Sequence, residues 1–150
     1  MSILQTATTS FKVQLLQAVH NFGPTSPNTY KIALYTANAD INAATTVYTT
    51  SNEVSSSGTG YSQGGNTLTI SQSPTSGNNQ YAIPTAFISF ANTSWTNATF
   101  TCRAALIYNV TQGNKSVAVL DFGADKTVNN DTFTIIFPTP DANSAIVRIS

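Results

Sequence analysis

The chain has 150 residues, enough for one domain with a core of its own and no need of disulfides. Only 8% of the residues are charged, against a usual value of about 25%, and six Lys/Arg balance six Asp/Glu to give zero net charge. Lys12, Lys31, Arg103, Lys115, Lys126 and Arg148 are scattered singly, and no stretch reaches the roughly 20 apolar residues of a membrane span, so neither nucleic acid nor membrane is an expected partner.

Periodicity predicts one helix, over about residues 10–22. Ser10 supplies an N-cap oxygen, and Phe11, Leu15, Val19 and Phe22 form an apolar stripe before Gly23-Pro24 ends the ladder. From Tyr30 the period changes to two. Tyr30–Tyr35 reads as a half-buried strand, Thr46–Thr49 as a short one and Thr67–Ile70 as another, with a Gly/Ser loop over 55–65 and a polar loop over 74–79. Ala86–Phe90 precedes the longest apolar run, Ala98–Tyr108, in which Phe100, Cys102, Ala104, Leu106 and Tyr108 alternate onto one face. Gln112-Gly113-Asn114 predicts a hairpin to Ser116–Phe122, then come strands at Thr132–Phe137 and Ala145–Ile149. The fold class that follows is mostly β, a single β-sandwich or jelly-roll-like domain over about residues 30–150 with one N-terminal helix.

Chemistry-bearing residues are few. His20 is the only histidine and falls in the last turn of the expected helix, where a cation meets the negative end of the dipole. Cys102 is the only cysteine and lies in an apolar run, which fits a buried thiol better than a His–Cys dyad. Asp121, Asp125 and Asp131 crowd one region, but their spacing matches no EF-hand and suits turn capping. Gly58-Thr59-Gly60-Tyr61-Ser62-Gln63-Gly64-Gly65 lacks the Gly-Lys-Ser/Thr ending of a phosphate loop and leads into a strand. The N-terminal residues lack the basic and apolar regions of a signal peptide, so the five Asn-x-Ser/Thr sequons read as by-products of composition. The expectation is a protein that is not an enzyme and has no catalytic, cofactor-binding or metal-binding residues. Six tyrosines and Trp95 are too many for a central core alone, and Tyr and Trp suit interfaces and sugar platforms. Phe11 and Leu15 on the helix, with Tyr61 and Trp95, are therefore the candidate contact residues.

Segments taken in order resemble a family of small virion proteins encoded by tailed bacteriophages. The resemblance begins at Thr9-Ser10-Phe11-Lys12-Val13-Gln14-Leu15-Leu16 with His20-Asn21-Phe22, and runs through Tyr30–Thr36, Thr46-Val47-Tyr48, Asn52-Glu53-Val54 and Gly58-Thr59-Gly60-Tyr61 with Gly64-Gly65. It ends in Ala104–Asn109, Val117–Gly123 and Phe133–Pro138. It covers most of the chain and rests on the ordered set, not on one motif. It implies a virion structural protein made in the host cytoplasm, most readily a capsid decoration or cement protein that binds the head shell. The partners would then be the major capsid protein or other virion proteins, together with further copies of this chain, a trimer being favoured. The alternative is a tail or fibre component with a receptor- or carbohydrate-binding β domain, motivated by Trp95 and Tyr61.

Overall fold

The computed structural model describes residues 2–150. In chain order the elements are β1 (Thr6–Ala7), α1 (Thr9–Leu16), β2 (Tyr30–Tyr35), β3 (Asn66–Leu68), β4 (Ile70–Asn78), β5 (Pro84–Phe90), β6 (Thr93–Asn109), β7 (Lys115–Ile135) and β8 (Val147–Ile149). They make a five-stranded sheet, β1-β7-β6-β2-β3, and a three-stranded sheet, β4-β5-β8, every pairing antiparallel. Buried side chains from both sheets join in one core that includes Ile32, Leu34, Phe90, Trp95, Phe100, Ile107 and Val117. The chain is thus a mostly β, sandwich-like fold with one short N-terminal helix.

The helix is shorter than its periodicity suggests. Thr8, not Ser10, caps it: the Thr8 hydroxyl accepts from the Phe11 amide and is itself held by Ser116, 2.9 Å away. After Leu16 the chain turns through Ala18 at φ 56°, with Ala18 N–H bonding Leu15 C=O and Val19 N–H bonding Gln14 C=O. This is a Schellman ending with alanine where glycine is usual. Val19 and Phe22 therefore do not continue the helical stripe. His20 lies beyond the helix and not in its last turn.

The strand from Tyr30 is buried on both faces. Ile32 and Leu34 enter the core between the sheets, while Ala33 and Tyr35 enter a second cluster with Ala39, Ile41, Leu106, Tyr108 and Val119. That cluster sits on the face of the five-stranded sheet opposite the main core, under a cover segment that contributes Ala39, Ile41 and Tyr48, while Val54 and Tyr61 further along turn into the main core. Within this cover the expected strand at 46–49 is reduced to an isolated bridge, Val47 to Lys115.

Two further corrections concern register. A bulge between Cys102 and Ala104 switches the faces of β6, so Phe100 and Cys102 share the main core with Ala105 and Ile107, while Ala104, Leu106 and Tyr108 point to the other face. The strands expected at 116–122 and 132–137 belong to one long run, because β7 resumes pairing with β6 through Lys126, Thr127, Val128 and Asp131 after an irregularity at 122–125. Asn97 and Asn130 take positive φ along this irregular ladder, and Asn114 does so in the hairpin turn. The polar stretch at 74–79 is mostly strand as well. Pro74 falls at a register shift of β4, an edge strand, where its missing N–H costs no ladder bond.

The two flanks of the sandwich differ. On one side β3 runs into β4 across Thr69 alone, sealing the gap covalently. On the other side the outermost strands are β1 and β8, which are not paired with each other. Helix α1 plugs this flank by burying Phe11.

Candidate assembly surface

The open flank is built from three short elements. β1 is pinned through Thr6 and Ala7 to Val119 and Ala118 of β7. β8 is pinned through Val147, Arg148 and Ile149 to Ile88, Phe87 and Ala86 of β5. Each strand has one strand neighbour and so ends its sheet, the kind of edge that folded proteins usually cover, bend or charge. The residues flanking β1 are tied to the cover segment by Leu4 N–H to Ile41 C=O and Thr9 N–H to Ala43 C=O. Between them runs a groove of about 470 Å³ whose walls include Thr6, Ala7, Lys12, Leu120 and Arg148. Leu15, Val147 and Ile149 border it and also line an adjoining hollow of about 320 Å³, which is walled by Phe22, Phe87 and Ile88. Outside the groove, α1 turns Val13 and Leu16 to solvent, Leu16 with 93% of its surface exposed. Among the described residues, Lys12 and Arg148 are the charged side chains lining the flank, and no carboxylate side chain lines either hollow.

His20 anchors one end of the flank. Its Nε2 lies 2.8 Å from Gln14 Oε1 and its Nδ1 3.0 Å from the Asn109 amide nitrogen, which also donates to Asn28 Oδ1. The carboxamide oxygen requires Nε2 to carry the proton, and Nδ1 then accepts. Phe11 meets the ring edge-on at 4.9 Å. Burial, reinforced by the nearby Lys115 charge, pushes its pKa down to about 4, so the ring is neutral at pH 7. Both nitrogens are committed to structural partners. Cys102 sits seven residues from Asn109 along β6, roughly 23 Å in an extended strand, so Cys102 and the Asn109-bonded His20 form no dyad. Burial first, then the Asp125 charge, raises the thiol to about 12 and keeps it protonated.

A second polar cluster fastens the cover segment. Glu53 accepts from the Tyr48 hydroxyl at 2.7 Å, and from the Tyr61 hydroxyl and the Gly64 amide at 2.6 Å each. Tyr61 Oη in turn accepts from Leu34 N–H, Tyr35 donates to Thr49 C=O, and Tyr108 donates to Gly64 C=O. Burial raises the pKa of all four tyrosines, so they serve as neutral donors. Gly65 makes the close approach possible: at φ +71° it lies so near β2 that a Cβ would sit 1.8 Å from Ile32 C=O. The glycine run of 58–65 thus shapes a turn against the sheet.

The aspartates divide. Arg103 lies 3.7 Å from Asp121 and 3.6 Å from Asp125, while Asp131 accepts from the Thr132 amide. Among the described residues no group of three or more His, Cys, Asp or Glu side chains could hold a metal ion, and no helix is long and apolar enough to cross a membrane.

Three of the four residues expected to make contacts lie in the interior. Phe11 is 1% exposed, Tyr61 3% and Trp95 4%, so the fold consumes them as core and they offer no surface to a partner. Trp95 and Tyr61 pack at 6.1 Å between ring centroids, and the indole N–H of Trp95 has no hydrogen-bond partner among the described residues. Of the tyrosines only Tyr81, at the β4–β5 tip, is exposed, while Tyr48 is half-buried. Leu15 does line the open flank. The residues that reasoning from sequence missed there are Lys12, Val13, Leu16, Arg148 and Ile149. One signal was available for the helix: Val13 and Leu16 lie off the Phe11–Leu15 stripe, so α1 is apolar on more than one side. Comparison with known proteins found no matching family model, no matching curated protein and no matching solved structure.

Proposed function

We propose that the chain is a structural subunit of a tailed-bacteriophage virion, a decoration protein that adds to the head shell and stabilises it. The observation that carries this reading is the open flank, where the end strands β1 and β8 border a groove of mixed polar and apolar lining beside an exposed Leu16. A face of this kind gains by being covered. The family resemblance, spread from Thr9 to Pro138, supports the virion context, and the zero net charge lets many copies crowd on one lattice without mutual repulsion. We place the chain with the major capsid protein as partner, in a homotrimer whose symmetry repeats one modest contact three times. The role is adhesive and not catalytic: the only histidine is neutral with both nitrogens engaged, and the only thiol is buried and protonated. The carbohydrate-binding alternative loses its motive, since Trp95 and Tyr61 are core side chains.

The test is to mix the purified protein with heads that lack it, then measure shell rupture on heating and image the particles. Bound density at symmetric positions with a raised rupture temperature is the expected result. Heads that stay bare and rupture unchanged would refute the assignment.

A further inference from the structure

We infer that the groove between β1 and β8 is a strand-acceptor site, taking an extended segment of the shell partner whose inward side chains are apolar and whose outward side chains include carboxylates. This rests on the attachment reading above and names the chemistry of its partner. Three features lead to it.

The first is backbone hydrogen bonding. β1 and β8 end their sheets, and both line the same groove, so one extended segment lying there reaches an unpaired edge and continues a ladder. Ile146–Ser150 line the wall, which sets the contact at about five residues, or about 16 Å of strand. The second is the floor. Leu15, Val147 and Ile149 are apolar and at least partly exposed there, which suits every second side chain of an inserted strand.

The third is charge, and it decides between a second copy and a different protein. Lys12 and Arg148 line the groove with no acidic side chain beside them among the described residues, and the Arg148 guanidinium also donates to Asn143 C=O. The chain's own carboxylates are already engaged. Asp40 accepts from Ser2 and Asn42, Glu53 from two tyrosines and Gly64, and Asp141 from Asn143 and Ser144. Asp121 and Asp125 face Arg103, and Asp131 accepts from Thr132. A two-fold pairing of β8 with its own copy about Arg148 would also set like charges directly opposite, which is unfavourable. An acidic strand from another protein meets both demands.

The experiment uses the full chain and a capped nine-residue peptide alternating Val with Glu and Thr. Its controls are a Lys-for-Glu version and a version N-methylated along its pairing edge. Hydrogen exchange of the Thr6–Ala7 and Val147–Ile149 amides is followed by NMR. With peptide at ten times its dissociation constant, groove-facing amides of at least one edge should exchange about tenfold more slowly, and neither control should do this. The Lys12→Glu/Arg148→Glu variant, checked for an unchanged fold by circular dichroism, should reverse the preference toward the Lys peptide. No protection at millimolar peptide, equal protection by all three peptides, or protection that grows with protein concentration alone would each overturn the inference. Head binding separates the two levels. If the double variant decorates heads as well as the parent chain, attachment stands and the strand-acceptor site falls. If the parent chain leaves heads bare, the attachment reading falls regardless of the peptide.

Discussion

His20 ties the stability of the open flank to pH in a way that can be worked through. In the folded chain the ring accepts from Asn109 through Nδ1, and protonation removes that lone pair while placing a cation near Lys115. The folded pKa is about 4 against 6.5 for an unhindered imidazole. Between these values the unfolded chain binds a proton that the folded chain refuses, so stability rises with pH across the window. The contribution is complete above pH 6.5 and is lost as pH falls toward 4. A gap of about 2.5 pH units at 1.36 kcal/mol each sets a ceiling of about 3.4 kcal/mol. At pH 5 the same two values give a loss of about 2 kcal/mol relative to pH 7.5. Urea unfolding of the parent chain and of His20→Gln at both pH values isolates the effect, because every other titrating group cancels in the double difference. The variant, less stable at pH 7.5 for want of the imidazole contacts, should lose about 2 kcal/mol less than the parent on acidification. Parallel losses in the two proteins would refute the account of a buried neutral ring.

Gly65→Ala should cost at least about 3 kcal/mol by thermal or urea unfolding, since its Cβ would overlap Ile32 C=O. Gly113→Ala, at the same φ but with nothing within 4 Å, should cost only about 1 kcal/mol. Ala18→Gly should stabilise the fold by about 1 kcal/mol by relieving the left-handed alanine at the end of α1, a gain visible as a raised urea midpoint. Trp95→Ala should lower stability by about 3–5 kcal/mol, as expected of a buried aromatic, and a variant that kept its full melting temperature would contradict the interior placement.

What sequence determined here is what local chemistry determines. Alternation of apolar and polar residues placed most of the strands, Gln112-Gly113-Asn114 marked the β6–β7 turn, and the apolar spacing around Phe11 and Leu15 marked a helix. Tertiary structure decided the rest, because these features depend on partners distant along the chain. Helix α1 stops at Ala18 while the apolar spacing runs on, and His20 then meets Asn109, 89 residues away. The Pro74 stretch became strand because β5 was there to pair with it. A single bulge after Cys102 reversed the faces of the rest of β6, which alternation cannot reveal, since the period stays two on either side of the slip. Burial of Tyr61 followed from a hydrogen bond to Glu53 and a close approach that only Gly65 allows. The open flank is the extreme case. Lys12 and Arg148 lie 136 positions apart and share a groove only because the sheet order leaves β1 and β8 as unpaired ends, and no local pattern encodes which strands will lack a neighbour.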